Sequence, residues 1–166
     1  YNAPNKHEVP VVVFIDGDGI PWQGRNRIAF DPTSEKPLLL QWFLSAELPA
    51  VYLGRPCYFD LNDPACSAYW FTHGRYSEAV VTSLINVLSN DVVDRDIILV
   101  GHSGGATLAM LMAEQLTQVK AVITIAGNLN VAAWVKHHRY SDLVGSLDPS
   151  SRSASAHAIR QVHFYS

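Results

Sequence analysis

Cysteine is scarce in this chain of 166 residues, with only Cys57 and Cys66 present. That scarcity excludes a small scaffold stapled by several disulfides. No further Cys or His lies near the pair at ligand spacing, which argues against a metal site. The two cysteines flank a short loop rich in Pro, Asp, Asn and Gly, so they can close as one disulfide or stay two unrelated thiols. The disulfide is the preferred reading, and it would imply an oxidising location, periplasmic or secreted. Charge is also sparse. Only 16% of residues are charged, the formal net charge is −3, and no run of one sign occurs, so the electrostatic footprint of a nucleic-acid binder is missing. No apolar run approaches the ~20 residues of a membrane span. The first six residues, Tyr1 to Lys6, carry no signal-peptide pattern. There is no internal repeat, nothing implies a cofactor, and oligomeric state is not written in the pattern.

What is present suits a single domain over residues 1–166. Apolar residues make up 48% of the chain, enough for a sizeable core. Val9 to Ile15 is a continuous apolar run ending in Asp16-Gly17, the mark of a buried strand. Pro37 to Leu48 has helical spacing and stops at Pro49. Ala50 to Leu53 is a short strand closed by Gly54. Ser77 is placed as an N-cap, followed by a helical face of Val80, Val81, Leu84, Ile85 and Leu88. Ile97 to Val100 is a second buried strand, Gly104 to Leu116 a helix of small and apolar residues, and Val119 to Ala126 a third strand. Val131 to His138 is predicted helical, Ser146 to Ala158 a loop, and Gln161 to Tyr165 a last strand. Alternation at these lengths predicts an α/β fold, a mostly parallel sheet with helices on both faces. Reactive groups in such sheets gather beyond the carboxyl ends of the strands.

Two glycine-rich turns fall at that edge, Asp16-Gly17-Asp18-Gly19 and Gly101-His102-Ser103-Gly104-Gly105. The second fits G-x-S-x-G, follows an apolar strand and opens a helix, as a nucleophile elbow requires. Glycines two positions either side of the serine let strand and helix backbones approach closely. The N–H of Gly104 then points at a developing oxyanion, aided by the positive end of the helix. His102 adjoins the serine in sequence, so its side chain is expected to project elsewhere rather than serve as the base.

Through this turn the chain resembles the α/β-hydrolase family, from Val9 to the last strand. Gly54-Arg55-Pro56-Cys57-Tyr58-Phe59 and Ile125-Ala126-Gly127-Asn128-Leu129 resemble a bacterial branch of it. The resemblance implies hydrolysis of a small-molecule ester, thioester or related acyl bond, with Ser103 as nucleophile. Gly17 then matches the family's oxyanion-turn glycine, Asp16 replaces its usual histidine, and Asp18 supplies the second oxyanion N–H by position. The family triad runs serine, acid, histidine in chain order. On this alignment the acid and base fall beyond Ser166, and the fold reads as incomplete at both ends. Within the chain, Asp142 or Asp148 followed by His157 or His163 satisfies the same order.

Trp22 and Arg25 follow the first turn, and Arg55 and Tyr58 follow the next strand. These residues can hold an acidic or aromatic part of a substrate. Two other functions compete with the acyl hydrolase. Val11 to Asp18 also fits an apolar strand followed by D-x-D, the first motif of Mg-dependent haloacid-dehalogenase-type phosphatases, with Asp16 and Asp18 as the acting pair. A non-catalytic α/β-hydrolase-like scaffold for binding is the other.

Overall fold

The computed structural model describes residues 9–24, 26–60, 63–92, 94–152 and 159–165. Strand β1 (Val11–Ile15) leads into a two-stranded antiparallel hairpin, β2 (Trp22–Gln23) with β3 (Arg27–Ile28). Helix α1 (Leu38–Leu44) and strand β4 (Ala50–Tyr52) follow, then helix α2 (Glu78–Asp91). Strand β5 (Ile97–His102), helix α3 (Gly104–Ala113), strand β6 (Val119–Ile125), helix α4 (Val131–His138) and strand β7 (Arg160–Phe164) complete the order.

The caps explain where the helices begin. Ser77 accepts the N–H of Val80 with its hydroxyl, and Asn130 accepts that of Ala133, so α2 and α4 each start on a side-chain cap. Helix α1 has no such local cap. Asp16, at the end of β1, supplies it from a distance: its two carboxylate oxygens accept the N–H groups of Leu39 and Leu40 at 3.1 and 2.9 Å. Helix α1 also stops at Leu44, short of the predicted Leu48. The Ser45 hydroxyl donates back to the carbonyls of Gln41 and Trp42, and Pro49 disfavours helix in the residue before it. Helix α3 likewise ends at Ala113 rather than Leu116, because the N–H groups of Gln115 and Leu116 both turn back to the carbonyl of Met112. The hairpin β2–β3 was not anticipated, its strands being too short to show a period.

The main sheet has five strands in the order β4-β1-β5-β6-β7, every neighbouring pair parallel. Alternate residues serve opposite faces. Phe14 and Val100 share a row and pack against Leu39 of α1. Val13 and Leu99 share the next row and face the larger core, which holds Leu84 and Leu88 of α2, Leu108 and Met112 of α3, and Val131 and Val135 of α4. Helices therefore cover both faces. From β1 the chain moves outward to β4, and from β5 it moves outward the other way to β6. The reversal falls between β1 and β5, where crevices for ligands form in open α/β sheets.

Cys57 and Cys66 are joined as a disulfide, with Cα atoms 5.4 Å apart. The bridge encloses a small core of its own, in which Tyr58 and Phe71 meet edge to face. Non-reducing mass spectrometry should therefore find no free thiol. Replacing both cysteines by alanine should lower unfolding free energy by about 2–3 kcal/mol in denaturant melts, the entropy of freeing so short a loop.

Candidate active site

Ser103 is the single residue between β5 and α3. Its backbone has φ 51° and ψ −120°, a conformation that costs a non-glycine residue about 1–3 kcal/mol. Neighbours hold it there. The N–H of Ser103 donates to the carbonyl of Ile125 at 2.8 Å, and its carbonyl accepts the N–H of Ala106 at 3.0 Å. An added Cβ on Gly101 would strike the backbone of Gly105 and Ala106, and one on Gly105 the carbonyls of Ile15 and Asp16. Serine commonly spends its hydroxyl on capping a helix, yet the Ser103 side chain makes no cap bond to α3. The hydroxyl is left for other work, at the positive end of a helix whose first N–H groups lack internal acceptors.

The turn after β1 lies against this serine. A Cβ on Gly17 would sit 3.1 Å from that of Ser103. Beyond Gly17, the Asp18 side chain is only 11% exposed. One of its oxygens accepts from Arg55 at 2.6 Å. The other accepts from Arg75 at 3.0 Å and from the Tyr76 hydroxyl at 2.6 Å. The same carboxylate packs against Gly104, so no side chain fits at that position. Tyr58 donates its hydroxyl to the Asp18 carbonyl at 3.0 Å. Among the described residues nothing accepts the backbone N–H of Asp18. The network continues to the end of β6, where Asn128 donates to Tyr76 and accepts from Thr107.

Burial would raise the pKa of Asp18. The guanidinium groups of Arg55 and Arg75, with the Tyr76 hydroxyl, outweigh it and hold the carboxyl below its ordinary value. Burial also pushes the phenol of Tyr58 up to about 12, so it stays a neutral donor. The Arg55 guanidinium lies 5.0 Å from the ring centre of Tyr58 and 5.9 Å from that of Tyr76.

A cleft of about 1130 Å³ opens over Ser103 and the β1 turn. Trp22 lines it, edge-on to His73, whose Nδ1 is 3.2 Å from the carbonyl of Asp142. Trp134, His138 and Tyr140, at the end of α4, also line it. His102 lies in the same cleft with its Nδ1 3.9 Å from Asp16. The other residues picked out from the sequence are placed differently. Tyr58 does not line the cleft and reaches the site through Asp18. Arg55 is 6% exposed and spent on Asp18 and on the Arg75 carbonyl, so it faces no ligand. His163 pairs with Thr124 at 2.7 Å and with Gln161 at 3.2 Å, away from the cleft. Asp148 caps the turn at 149–151 and accepts from Ala132. Arg25 and His157 lie outside the described residues. Among the described residues no histidine hydrogen-bonds the Ser103 hydroxyl. Asp16 and Asp18 point apart, one into a helix end and one between two arginines, which is not the convergent pair that phosphoryl transfer from D-x-D needs.

The parallel sheet, its helices on both faces and a serine turn at the strand edge define an α/β-hydrolase. The chain belongs to the BAAT / acyl-CoA thioester hydrolase C-terminal family, whose pattern matches residues 76–164, more than half of its length. Among solved structures it is similar to an iodinated complex of acetyl xylan esterase, at 17% identity and TM-score 0.42, covering 93% of this chain and 81% of that one. It is also similar to an acetyl xylan esterase from Paenibacillus sp. R4, at 21% identity and TM-score 0.39, covering 82% of this chain and 45% of that one. No curated protein matches.

Asp18→Asn should cost about 3–5 kcal/mol in a denaturant melt, because it leaves two guanidinium groups without their counter-charge. The pH dependence carries a sign. The folded pKa of Asp18 is depressed, so its contribution is fully present above the ordinary value of 3.8 and is lost as pH falls below it. Wild-type stability should therefore drop below pH 4 more steeply than that of the Asn variant. Parallel acid titrations of the two would contradict the pairing.

Proposed function

We propose that this chain is a serine-dependent hydrolase of ester, thioester or related acyl bonds, with Ser103 as the nucleophile. The observation that carries the reading is the strained, uncapped serine between β5 and α3, set against the β1 turn at the reversal of strand order. The Ser103 hydroxyl attacks the acyl carbon and loses its proton to a base. The carbonyl oxygen takes up the negative charge, and the N–H groups of Gly104 and Asp18 receive it. Each such donor contributes about 3 kcal/mol to the transition state. Collapse expels the alcohol or thiol, and water then releases the acid from Ser103. Membership of a family named for thioester hydrolysis supports the acyl chemistry. Trp22 faces the substrate, and Arg25, three residues further along the chain, is proposed to contact it as well. Tyr58 serves the site by anchoring the Asp18 peptide. The disulfide supports a periplasmic or secreted location.

A binding scaffold without turnover is the second reading, favoured by the lack of a histidine bonded to Ser103 among the described residues. Labelling separates the two. A fluorophosphonate should modify Ser103, and Ser103→Ala should abolish both labelling and hydrolysis of p-nitrophenyl acetate, a fall of several powers of ten. Turnover that survives Ser103→Ala would sink the nucleophile assignment. No labelling and no turnover in the unaltered protein would favour the scaffold.

A further inference from the structure

The cleft differs in charge from the molecule around it. Lys36, Arg75 and Arg139 line it, against the carboxylates Asp16 and Asp18. Neither carboxylate is available to a ligand, since Asp16 caps α1 and Asp18 is held by Arg75 and by Arg55 behind it. The guanidinium groups of Arg55 and Arg75 thus balance the two carboxylates, and the positive excess of the cleft is that of Lys36 and Arg139. The whole chain, by contrast, has a formal net charge of −3.

The rim adds to this. Neither Lys36 nor Arg139 makes an ion pair among the described residues. Arg139 closes α4 with φ 55° and ψ 39°, a left-handed position that usually falls to glycine. The negative end of the α4 dipole favours the basic residues Lys136, His137 and His138 in its last turn. That effect accounts for basic residues there, but not for an arginine in a strained conformation on the cleft side. Next to it, the rings of His138 and Tyr140 stack with a 14° angle between planes, and Trp134 lies 5.2 and 5.3 Å from them. An aromatic cluster thus stands beside an unpaired cation.

We propose that the cleft selects acyl substrates that carry an anionic group, a carboxylate or a phosphate, received by Arg139 and Lys36 above the Arg75–Asp18–Arg55 cluster. Turnover of such substrates rests on the Ser103 reading, whereas their binding does not. Unpaired cations at the rim of a cleft raise the local concentration of anions, by about tenfold or more, and salt weakens the effect.

The test compares mono-p-nitrophenyl glutarate with neutral p-nitrophenyl butyrate on the full chain at low salt. The glutarate ester should have a kcat/KM about tenfold higher, falling toward parity in 0.5 M salt, roughly several Debye lengths' worth of screening across the cleft. The Arg139→Gln/Lys36→Gln double variant should bring the ratio of the two esters close to one. Equal kcat/KM values in the unaltered protein, or a ratio that the double variant leaves in place, would overturn the proposal. Calorimetry on Ser103→Ala adds a readout free of turnover. Glutarate and inorganic phosphate, titrated separately, distinguish the two anions, with neutral glutaramide as control. Anion binding without Ser103-dependent turnover would fail the nucleophile assignment alone. Ser103-dependent turnover of the esters, with glutarate and phosphate binding no more tightly than glutaramide, would fail the selectivity alone.

Discussion

A largely buried carboxylate is tolerable only where opposite charge and hydrogen bonds replace the water it has lost. Asp18 meets that condition with Arg55, Arg75 and Tyr76, and the rest of the site is arranged around it. Arg55 opens the connection from β4 to α2, Arg75 and Tyr76 close it, and Asp18 follows β1, so one carboxylate ties both ends of that connection to the β1 turn. Tyr58 secures the carbonyl of the same residue, and the disulfide secures the loop that carries Tyr58. These bonds fix the Asp18 peptide in place, and among the described residues nothing accepts its N–H. Strain is distributed in the same way. Ser103 keeps a positive φ because β6 and α3 both bond its backbone, and the glycines beside it leave no room for relaxation.

The reversal of strand order explains why these turns meet. Strands β1 and β5 are neighbours, but their outgoing connections leave in opposite directions, so the turns that follow them stand side by side. One turn carries Gly17 and Asp18, the other Ser103 and Gly104. A strand order running steadily across the sheet would have placed a connection over the gap.

Much of the fold could be read from the chain because it is written in local pattern. The strands read at Val9 to Ile15, Ile97 to Val100 and Val119 to Ala126 become the central strands β1, β5 and β6, and Ser77 caps its helix. The serine turn was legible for the same reason, as strand, glycine and helix signals fall within a few residues. The partners of Asp18 were not. Arg55 and Arg75 lie 37 and 57 residues away, and an arginine bound for a buried pair looks in sequence like one bound for the surface. The repeated Gly-Arg pairs at 54–55 and 74–75, both set between apolar segments, were the available signal. The role of Asp16 was hidden for a related reason. Its place in a D-x-D pattern allowed a convergent pair, but each carboxylate is claimed by distant partners, Asp16 by the start of α1 and Asp18 by Arg55, Arg75 and Tyr76. The short extent of α1 was equally hidden, because its start depends on that distant cap.

The central claim is that the β1 turn and the serine turn together form one pocket for a developing oxyanion. A crystal structure of the protein after reaction with a phosphonate ester tests it most directly. The account predicts phosphorus bonded to the Ser103 oxygen, with one phosphoryl oxygen about 2.7–3.1 Å from the backbone nitrogens of both Gly104 and Asp18. An adduct on another residue, or a phosphoryl oxygen turned to solvent with the Asp18 N–H left unused, would contradict it.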